Sequence, residues 1–142
     1  MGEDKRKKEI CVEALTDNLD QVNEFVESMI EDSGCSSRTV MQVRISVEEI
    51  FVNIANYAYS PEIGKATIAV EVSDDQAMVT IMFMDSGTPY DPLAKEDPDI
   101  TLSFEERQIG GLGIYMTKKF MDEMEYKYKD GKNILILKKK LS

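Results

Sequence analysis

Two pairs of strand-like segments, each joined by a tight turn, constrain the fold of this chain more than any other feature. The first pair carries a large apolar side chain at every second position on both sides of a turn at residues 74–76. These apolar positions are Ile68, Val70, Val72, Val79, Ile81 and Phe83. The second pair turns at Asp130–Gly131, two residue types that suit the positive φ of a tight hairpin. Because strands joined by short turns pair antiparallel, we predict a mixed, mostly antiparallel sheet.

Helical segments complete the pattern. An alternating strand over Glu9–Leu15 is followed by a helix that Asp17 or Asn18 can cap and that Gly34 ends. A later helix is predicted from about Leu112 to Glu123, after a long loop. The order β-α-α-β-β-loop-α-β-β lacks strict βαβ alternation, which disfavours a Rossmann domain. It favours an α+β fold, a two-layer α/β sandwich with helices on one face of the sheet.

The length and charge of the chain bound its architecture and its partners. Its 142 residues suit one domain of ~100–150 residues, and we predict a flexible charged tail over residues 1–8 and a single domain over 9–142. The chain has 17 basic and 27 acidic residues, a net charge of −10 that repels phosphate backbones and anionic lipid. No apolar run approaches the ~20 residues of a membrane span. We therefore expect no binding to nucleic acid or to a membrane.

The histidine and cysteine content excludes several classes of site. The chain has no histidine, which excludes histidine-based triads and imidazole metal sites. Its two cysteines, Cys11 and Cys35, lack the spacing of a disulfide framework or of a zinc site. We therefore predict a reduced, cytoplasmic protein.

The longest predicted helix, from Ser36 or Ser37 to Tyr59, has two polar stripes instead of one. Its core stripe consists of Val43, Val47, Ile50, Phe51, Ile54 and Ala58. Arg44 and Glu48 form one polar group, an i,i+4 pair of opposite sign that suits water. The second polar group consists of Ser46, Glu49, Asn53 and Asn56. An ordinary amphipathic helix has one polar face, so the second group indicates either a second solvated edge or a polar cavity.

Glu49 and Asn53 have the chemistry of a site if that second group faces a cavity. Their i,i+4 spacing makes the carboxylate and the carboxamide project together. Glu49 can then accept a proton from an attacking hydroxyl, and the oxygen of Asn53 can ligate Mg²⁺, which prefers oxygen ligands. Simple solvation of both side chains is the alternative.

Two glycine segments supply further candidates. Asp85 and Gly87 end a predicted strand, where they can form a simple Asx turn or place a carboxylate and an exposed backbone beside a flat ring. Residues 110–113 contain three glycines before a helix, which favours either a flexible hinge or an anion site made of free N–H groups. Between them, residues 87–109 form a long acidic segment with three prolines, and a loop of this length is usually functional or disordered.

These residues occur in a recognisable order: Glu49-x-x-x-Asn53, then Asp85-x-Gly87, then Gly111-x-Gly113, with the acidic segment before the last. The set resembles the N, G1 and G2 boxes of the GHKL ATPase superfamily. Residues 110–141 are similar to the small bacterial members, the anti-sigma-factor serine kinases of the RsbW type. The resemblance extends over residues 9–141, nearly the whole chain.

The resemblance implies a Bergerat-type sandwich that binds ATP or ADP between the long helix and the sheet, under a lid at residues 88–109. It assigns Asp85 to the amino group of adenine and Gly87 to packing beside the ring. Asn53 would ligate Mg²⁺ and Glu49 would be the base that activates a serine of a partner. The phosphates would be held by Gly111 and Gly113, with Arg107 as a further candidate.

The family also implies partners. Its members phosphorylate a small anti-anti-sigma protein with a STAS domain, alternatively sequester a sigma factor, and are usually homodimers. Two departures from the family pattern stand out: Tyr57 replaces a common histidine, and Asn133 occupies the place of a threonine that helps to hold adenine. We therefore do not assign Asn133 to the adenine. A binding module that holds ATP and a sigma factor without kinase turnover remains an alternative, whereas a histidine-kinase catalytic domain is disfavoured.

Overall fold

The structure, a computed structural model, describes residues 7–59, 61–94 and 111–141. In these ranges the strands and α-helices are β1 (Lys7–Glu13), α1 (Leu19–Ile30), α2 (Ser37–Asn53), β2 (Lys65–Val72), β3 (Met78–Asp85), α3 (Gly111–Phe120), β4 (Glu123–Lys129) and β5 (Lys132–Lys140). The predicted order of elements is confirmed. Lys7 and Lys8, which the prediction assigned to the tail, pair with β2 instead, because the alternating strand begins two residues earlier. None of the helices in the described ranges is long and apolar enough to cross a bilayer.

The five described strands form an antiparallel sheet in the order β1-β2-β3-β5-β4. On β2, β3 and β5 every second side chain is buried, as the period of a strand with one covered face requires. The central strand β3 ends at Asp85, whose register partners are Ala66 on β2 and Asn133 on β5. The predicted fold class is confirmed, and the register places two polar residues side by side at one end of the sheet.

The helices cover one face of this sheet. Val22, Val26 and Ile30 of α1 are buried with the predicted core residues of α2, and Phe51 of α2 and Phe83 of β3 are among the largest fully buried side chains. Full burial of one such side chain contributes ~1.5–3 kcal/mol. The predicted core stripe of α2 is confirmed except at Ala58, which is only half-buried.

Helix α2 begins with a side-chain cap and ends in an unusual turn. The Oγ of Ser36 accepts a hydrogen bond from the backbone N–H of Thr39 at 3.1 Å, as expected of an N-cap. The helix continues past Asn53 as a π-helical turn over Ile54–Ala58, where a continuous α-helix to Tyr59 was predicted. Such π turns often occur at functional sites.

Two predictions about the polar side chains of α2 are wrong. Ser46 is fully buried and donates to the backbone carbonyl of Gln42 at 2.9 Å, so it does not belong to the second polar group. Arg44 pairs with Glu27 of α1 at 2.8 Å instead of Glu48, which accepts a hydrogen bond from Asn23 of α1. The reason is that α1 packs beside α2 and provides partners that a single-helix projection cannot include.

The predicted lid lies largely outside the described residues. Within the described ranges, the segment after β3 reaches Ala94 and includes a short 3₁₀ turn over Pro92–Ala94. Arg107 also falls outside them.

Candidate functional site

A cavity of about 180 Å³ lies between α2 with its π turn and the end of the sheet that contains Asp85. Its lining includes the apolar side chains of Ile50, Ile54, Phe83, Pro92 and Leu135. The polar side chains that border it include Asn53, Asp85 and Asn133. A mainly apolar wall with a few convergent polar groups is typical of a small-molecule site.

At one side of the cavity, Asp85 is held by two hydrogen bonds. Its Oδ1 accepts from the backbone N–H of Gly87 and from Nδ2 of Asn133, both at 2.9 Å. The bond to Gly87 is the Asx turn that the sequence offered as an alternative. The carboxylate nevertheless borders the cavity, and its Oδ2 has no hydrogen-bond partner among the described residues. Asp85 therefore forms the turn and also presents an acceptor.

The segment after Asp85 is docked on the end of the π turn. The backbone N–H of Ser86 donates to the hydroxyl of Tyr59 at 2.8 Å, and that of Thr88 donates to the carbonyl of Ala58, also at 2.8 Å. A Cβ at Gly87 would lie 2.2 Å from the same carbonyl oxygen, so only glycine permits this approach. Gly87 is thus required by a backbone contact within the protein, a requirement that the sequence did not reveal.

Glu49 and Asn53 lie together beside the first turn of α3. Nδ2 of Asn53 donates to Oε2 of Glu49 at 2.8 Å, and a Cβ at Gly113 would lie 1.9 Å from Oε1 of Glu49. Both side chains are half-buried, whereas Asn56 of the same predicted polar group is exposed. Oδ1 of Asn53 has no hydrogen-bond partner among the described residues, and Asn53 lines the cavity. Gly111, two residues before Gly113, begins α3.

The structure therefore groups the predicted site residues that it describes into two sets. Asp85 and Gly87 form the first, Glu49, Asn53 and Gly113 the second, and Asp85 and Asn53 line the same cavity.

Asn133 is a site residue that the sequence reasoning set aside. It is 6% exposed and lies between Asp85 and Tyr126. Burial raises the pKa of Tyr126 above its ordinary value; the negative charges of Asp91 and Asp85 add to this, and the backbone N–H of Tyr90 opposes it. The signal that identifies Asn133 is the β3–β5 register, which is not encoded in any local pattern.

Known proteins resemble this chain over most of its length. The family model described as "Histidine kinase-like ATPase domain" matches residues 12–139. The serine/threonine-protein kinase BtrW of Bordetella bronchiseptica is 28% identical over 102 residues, which cover 72% of this chain and 71% of the relative. The serine-protein kinase RsbW of one Bacillus cereus strain is 28% identical over 109 residues, covering 74% and 67% of the two chains. That of another strain is 24% identical over 142 residues, covering 97% and 88%.

Solved structures share the fold. A chain from Mycobacterium tuberculosis that contains RsbU and RsbW domains superposes with a TM-score of 0.67 at 14% identity. The match covers 95% of this chain but 32% of the other, so this chain spans about a third of that longer protein. The histidine kinase domain of a blue-light activated kinase from Erythrobacter litoralis superposes with a TM-score of 0.52 at 12% identity, covering 89% and 60% of the two chains. At these identities the superpositions show the fold alone.

Proposed function

Because the chain belongs to the histidine kinase-like ATPase domain family, we propose that it is an ATP- and Mg²⁺-dependent protein-serine kinase. The observation that carries the proposal is a cavity lined by both Asp85 and Asn53, in which Asn53 also holds Glu49 beside Gly113. The relatives BtrW and RsbW are named as serine/threonine- and serine-protein kinases, which supports the same activity at family level.

The Asp85 side of the cavity suits adenine. The apolar wall matches a flat ring, and the partner-free Oδ2 of Asp85 would accept a hydrogen bond from the exocyclic amino group. Gly87 would lie beside the ring, since its chain neighbour Thr88 and the nearby Asp85 both line the cavity. Adenine has an amino donor at this ring position and guanine has a carbonyl acceptor, so an acceptor on the protein favours adenine.

The Glu49 side suits the phosphates and the metal. Gly111 and Gly113 begin α3, where the free N–H groups and the positive end of the helix dipole favour an anion, and Arg107 would add a positive charge. At Gly113 a Cβ would collide with Glu49. The missing side chain therefore leaves room for both the Glu49 carboxylate and a phosphate beside the start of α3. Oδ1 of Asn53 would ligate Mg²⁺, which when bound neutralises phosphate charge and usually takes one or two protein ligands.

Glu49 is the residue that we assign to proton transfer. Its carboxylate would accept the proton of the partner's serine hydroxyl while the serine oxygen bonds to the γ-phosphorus and the bond to the leaving ADP oxygen breaks. Asn53 donates to Oε2 at 2.8 Å, which holds the carboxylate in one orientation. General-base assistance of this kind contributes ~10²–10⁴-fold in rate.

The family resemblance extends the proposal to the partners. We infer that the serine belongs to a STAS-domain anti-anti-sigma protein, and that the chain alternatively sequesters a sigma factor. Sigma factors act inside the cell, so the proposal also implies a cytoplasmic protein. The net charge of −10 supports a protein partner over a nucleic acid.

A second copy of the chain is a further proposed partner, and the sheet face opposite the helices supports it. Its central side chains are half-buried and lie outside the core; they include Ala69, Met82, Met84, Ile134 and Ile136. One edge of this face carries Lys7, Glu9 and Glu13, and the other carries Glu123, Glu125, Lys127 and Lys129.

A twofold axis parallel to the strands would place the β1 edge of one copy on the β4 edge of the other, and both edges carry charges of both signs. Five strands ~4.8 Å apart and ~25 Å long would bury ~1,200 Å² in total, the lower end for a stable interface. A monomeric wild type in analytical ultracentrifugation would remove this part of the proposal.

Calorimetric titration with Mg·ATP tests the nucleotide site. Asp85→Asn replaces one carboxylate acceptor by an amide and should lower the affinity ~10-fold or more, the range for a lost charge-assisted hydrogen bond. Asp130→Asn is the matched control, because Asp130 is exposed and has a positive φ of 55°, which asparagine tolerates. Equal affinities of wild type and Asp85→Asn would place the base elsewhere.

A transfer assay separates the kinase from the alternative binding module. Incubation with γ-labelled ATP and STAS-domain proteins from the same genome should label a serine of one of them. ATP and sigma-factor binding without any labelling would establish the binding module in place of the kinase.

A further inference from the structure

The side chain of Asn133 uses its whole hydrogen-bonding capacity within the protein. Its Nδ2 donates to Oδ1 of Asp85 at 2.9 Å and to the backbone carbonyl of Thr88 at 3.0 Å. Its Oδ1 accepts from the hydroxyl of Tyr126 and from the backbone N–H of Tyr90, the latter at 3.1 Å. A carboxamide has two donors and two acceptor positions, and all four are occupied here.

We propose that Asn133 is a positioning residue that determines base recognition through Asp85, without a hydrogen bond of its own to the nucleotide. This inference rests on the proposed nucleotide site. Since no donor or acceptor of Asn133 is left over, a ligand hydrogen bond would require breaking one of the four existing bonds. The amide instead holds Oδ1 of Asp85 and leaves Oδ2 without a partner among the described residues.

The position of Asn133 in the sheet allows it to contact both Asp85 and the segment that follows β3. Asn133 lies directly opposite Asp85 in the β3–β5 register, at the start of β5. The bonds to Thr88 and Tyr90 tie the segment after β3 to the sheet, and both of these residues line the cavity. One side chain thus orders the acceptor and the neighbouring wall together.

The contribution of Tyr126 is to fix the orientation of the amide. A carboxamide can rotate by 180° and exchange its oxygen and nitrogen, which would turn a carbonyl oxygen toward the Asp85 carboxylate. The hydroxyl of Tyr126 donates to Oδ1, which opposes this rotation. The titratable groups around Asn133 are Asp85 from β3, Asp91 from the following segment, and Tyr126 and Tyr128 from β4.

Asn133→Asp is the variant that tests the inference, because it keeps the shape and removes the donors. Two carboxylates would then face each other where a 2.9 Å hydrogen bond stands, and they share a proton only when the pH is low enough to protonate one of them. At pH ~8 we expect Mg·ATP affinity to fall ~10–100-fold, the range for losing a hydrogen bond to a charged group. At pH ~5 the shared proton restores a donor between the two side chains, so the ratio of variant to wild-type dissociation constants should approach one.

The ratio is taken at each pH so that the titration of the nucleotide phosphates cancels. A residue that merely stabilises the fold would weaken binding by the same factor at both pH values, and that result would overturn the inference. Unchanged affinity at pH ~8 would overturn it as well. A wild type that binds no Mg·ATP would instead refute the proposed function, so the two failures are distinguishable.

A second variant keeps the test decisive if Asn133→Asp does not fold. Tyr126→Phe removes the hydroxyl that holds the amide and adds no charge, so it should weaken Mg·ATP binding several-fold. Tyr128→Phe is its matched control on the same strand, where the side chain is 46% exposed, and should bind as the wild type does. Equal affinities of Tyr126→Phe and Tyr128→Phe would contradict the role given to Asn133.

Discussion

Gly113→Ala should lower the rate of phosphoryl transfer strongly while it changes the stability of the protein little. The new Cβ would lie 1.9 Å from Oε1 and 2.1 Å from Cδ of Glu49, whereas ordinary contact begins at 3.4 Å. The carboxylate must therefore move by about 1.5 Å, the difference between the first and last of these distances. This displacement also breaks the 2.8 Å hydrogen bond from Asn53.

The expected change in stability is small because opposing effects are of similar size. The colliding atoms belong to the end of a half-buried, flexible side chain rather than to backbone. Losing the hydrogen bond costs about 1 kcal/mol, and alanine in a helix is better than glycine by up to about 1 kcal/mol. The free energy of unfolding should therefore change by less than about 1 kcal/mol, which urea denaturation can measure.

The expected change in activity is large, since a base misplaced by ~1 Å costs ~10²-fold in rate. Single-turnover transfer at saturating ATP measures this rate apart from any loss of nucleotide affinity. In a Glu49→Gln background, Gly113→Ala should add little to the loss, because the group that it displaces has already lost its function. A folded Gly113→Ala protein that transfers phosphate at the wild-type rate would refute the reasoning.

Three further predictions concern metal dependence, pH and local stability. Asn53→Ala should abolish the effect of Mg²⁺ on nucleotide affinity in calorimetry while the melting temperature stays within a few degrees; magnesium-coupled binding in the variant would assign the metal to other ligands. Burial raises the pKa of Tyr126, so the stability linked to its neutral form is present below about pH 10 and lost as pH rises through the raised pKa. Urea unfolding between about pH 9 and 11 should show this decline in the wild type and a shallower one in Tyr126→Phe, and equal slopes would contradict it. Ser36→Ala should cost about 1 kcal/mol in the free energy of unfolding, because it removes the side-chain cap of α2; an unchanged midpoint would show that the 3.1 Å bond to Thr39 contributes nothing.

The element order and the core were predictable because both depend on patterns within short segments. Alternation identified β2 and β3, and the 3.6-residue period identified the buried stripe of α2. Asp85 and Gly87 could be singled out for the same reason, since an acid at a strand end before a glycine is visible without knowledge of the fold.

The features that sequence reasoning missed depend on tertiary neighbours. Asn133 meets Asp85 across 48 residues of chain, through a strand pairing that no local pattern specifies. Ser46 was grouped with polar residues because a projection cannot show that its hydroxyl is satisfied by the carbonyl of Gln42 inside the core. Arg44 was paired along its own helix, yet α1 provides Glu27 at 2.8 Å.

The π turn at the end of α2 is another feature that the pattern does not show. Apolar spacing over Ile54–Ala58 indicates a helix but cannot distinguish i→i+4 from i→i+5 hydrogen bonding. The distinction matters because the carbonyl of Ala58, which receives the N–H of Thr88, lies in this turn. Gly87 packs against this same carbonyl, which leaves no room for a Cβ at position 87.

Phosphoryl transfer by Glu49→Gln, measured beside its nucleotide affinity, is the most direct test of the proposed kinase. Glutamine keeps the size of the side chain and its hydrogen bond with Asn53 but cannot take up the serine proton. We expect the wild type to label a serine of a STAS-domain partner, and the variant to bind Mg·ATP and the partner nearly as well while transferring phosphate ~10²–10⁴-fold more slowly. A variant that transfers phosphate at the wild-type rate, or a wild type that binds ATP and transfers none, would contradict the assignment of Glu49 as the base of a serine kinase.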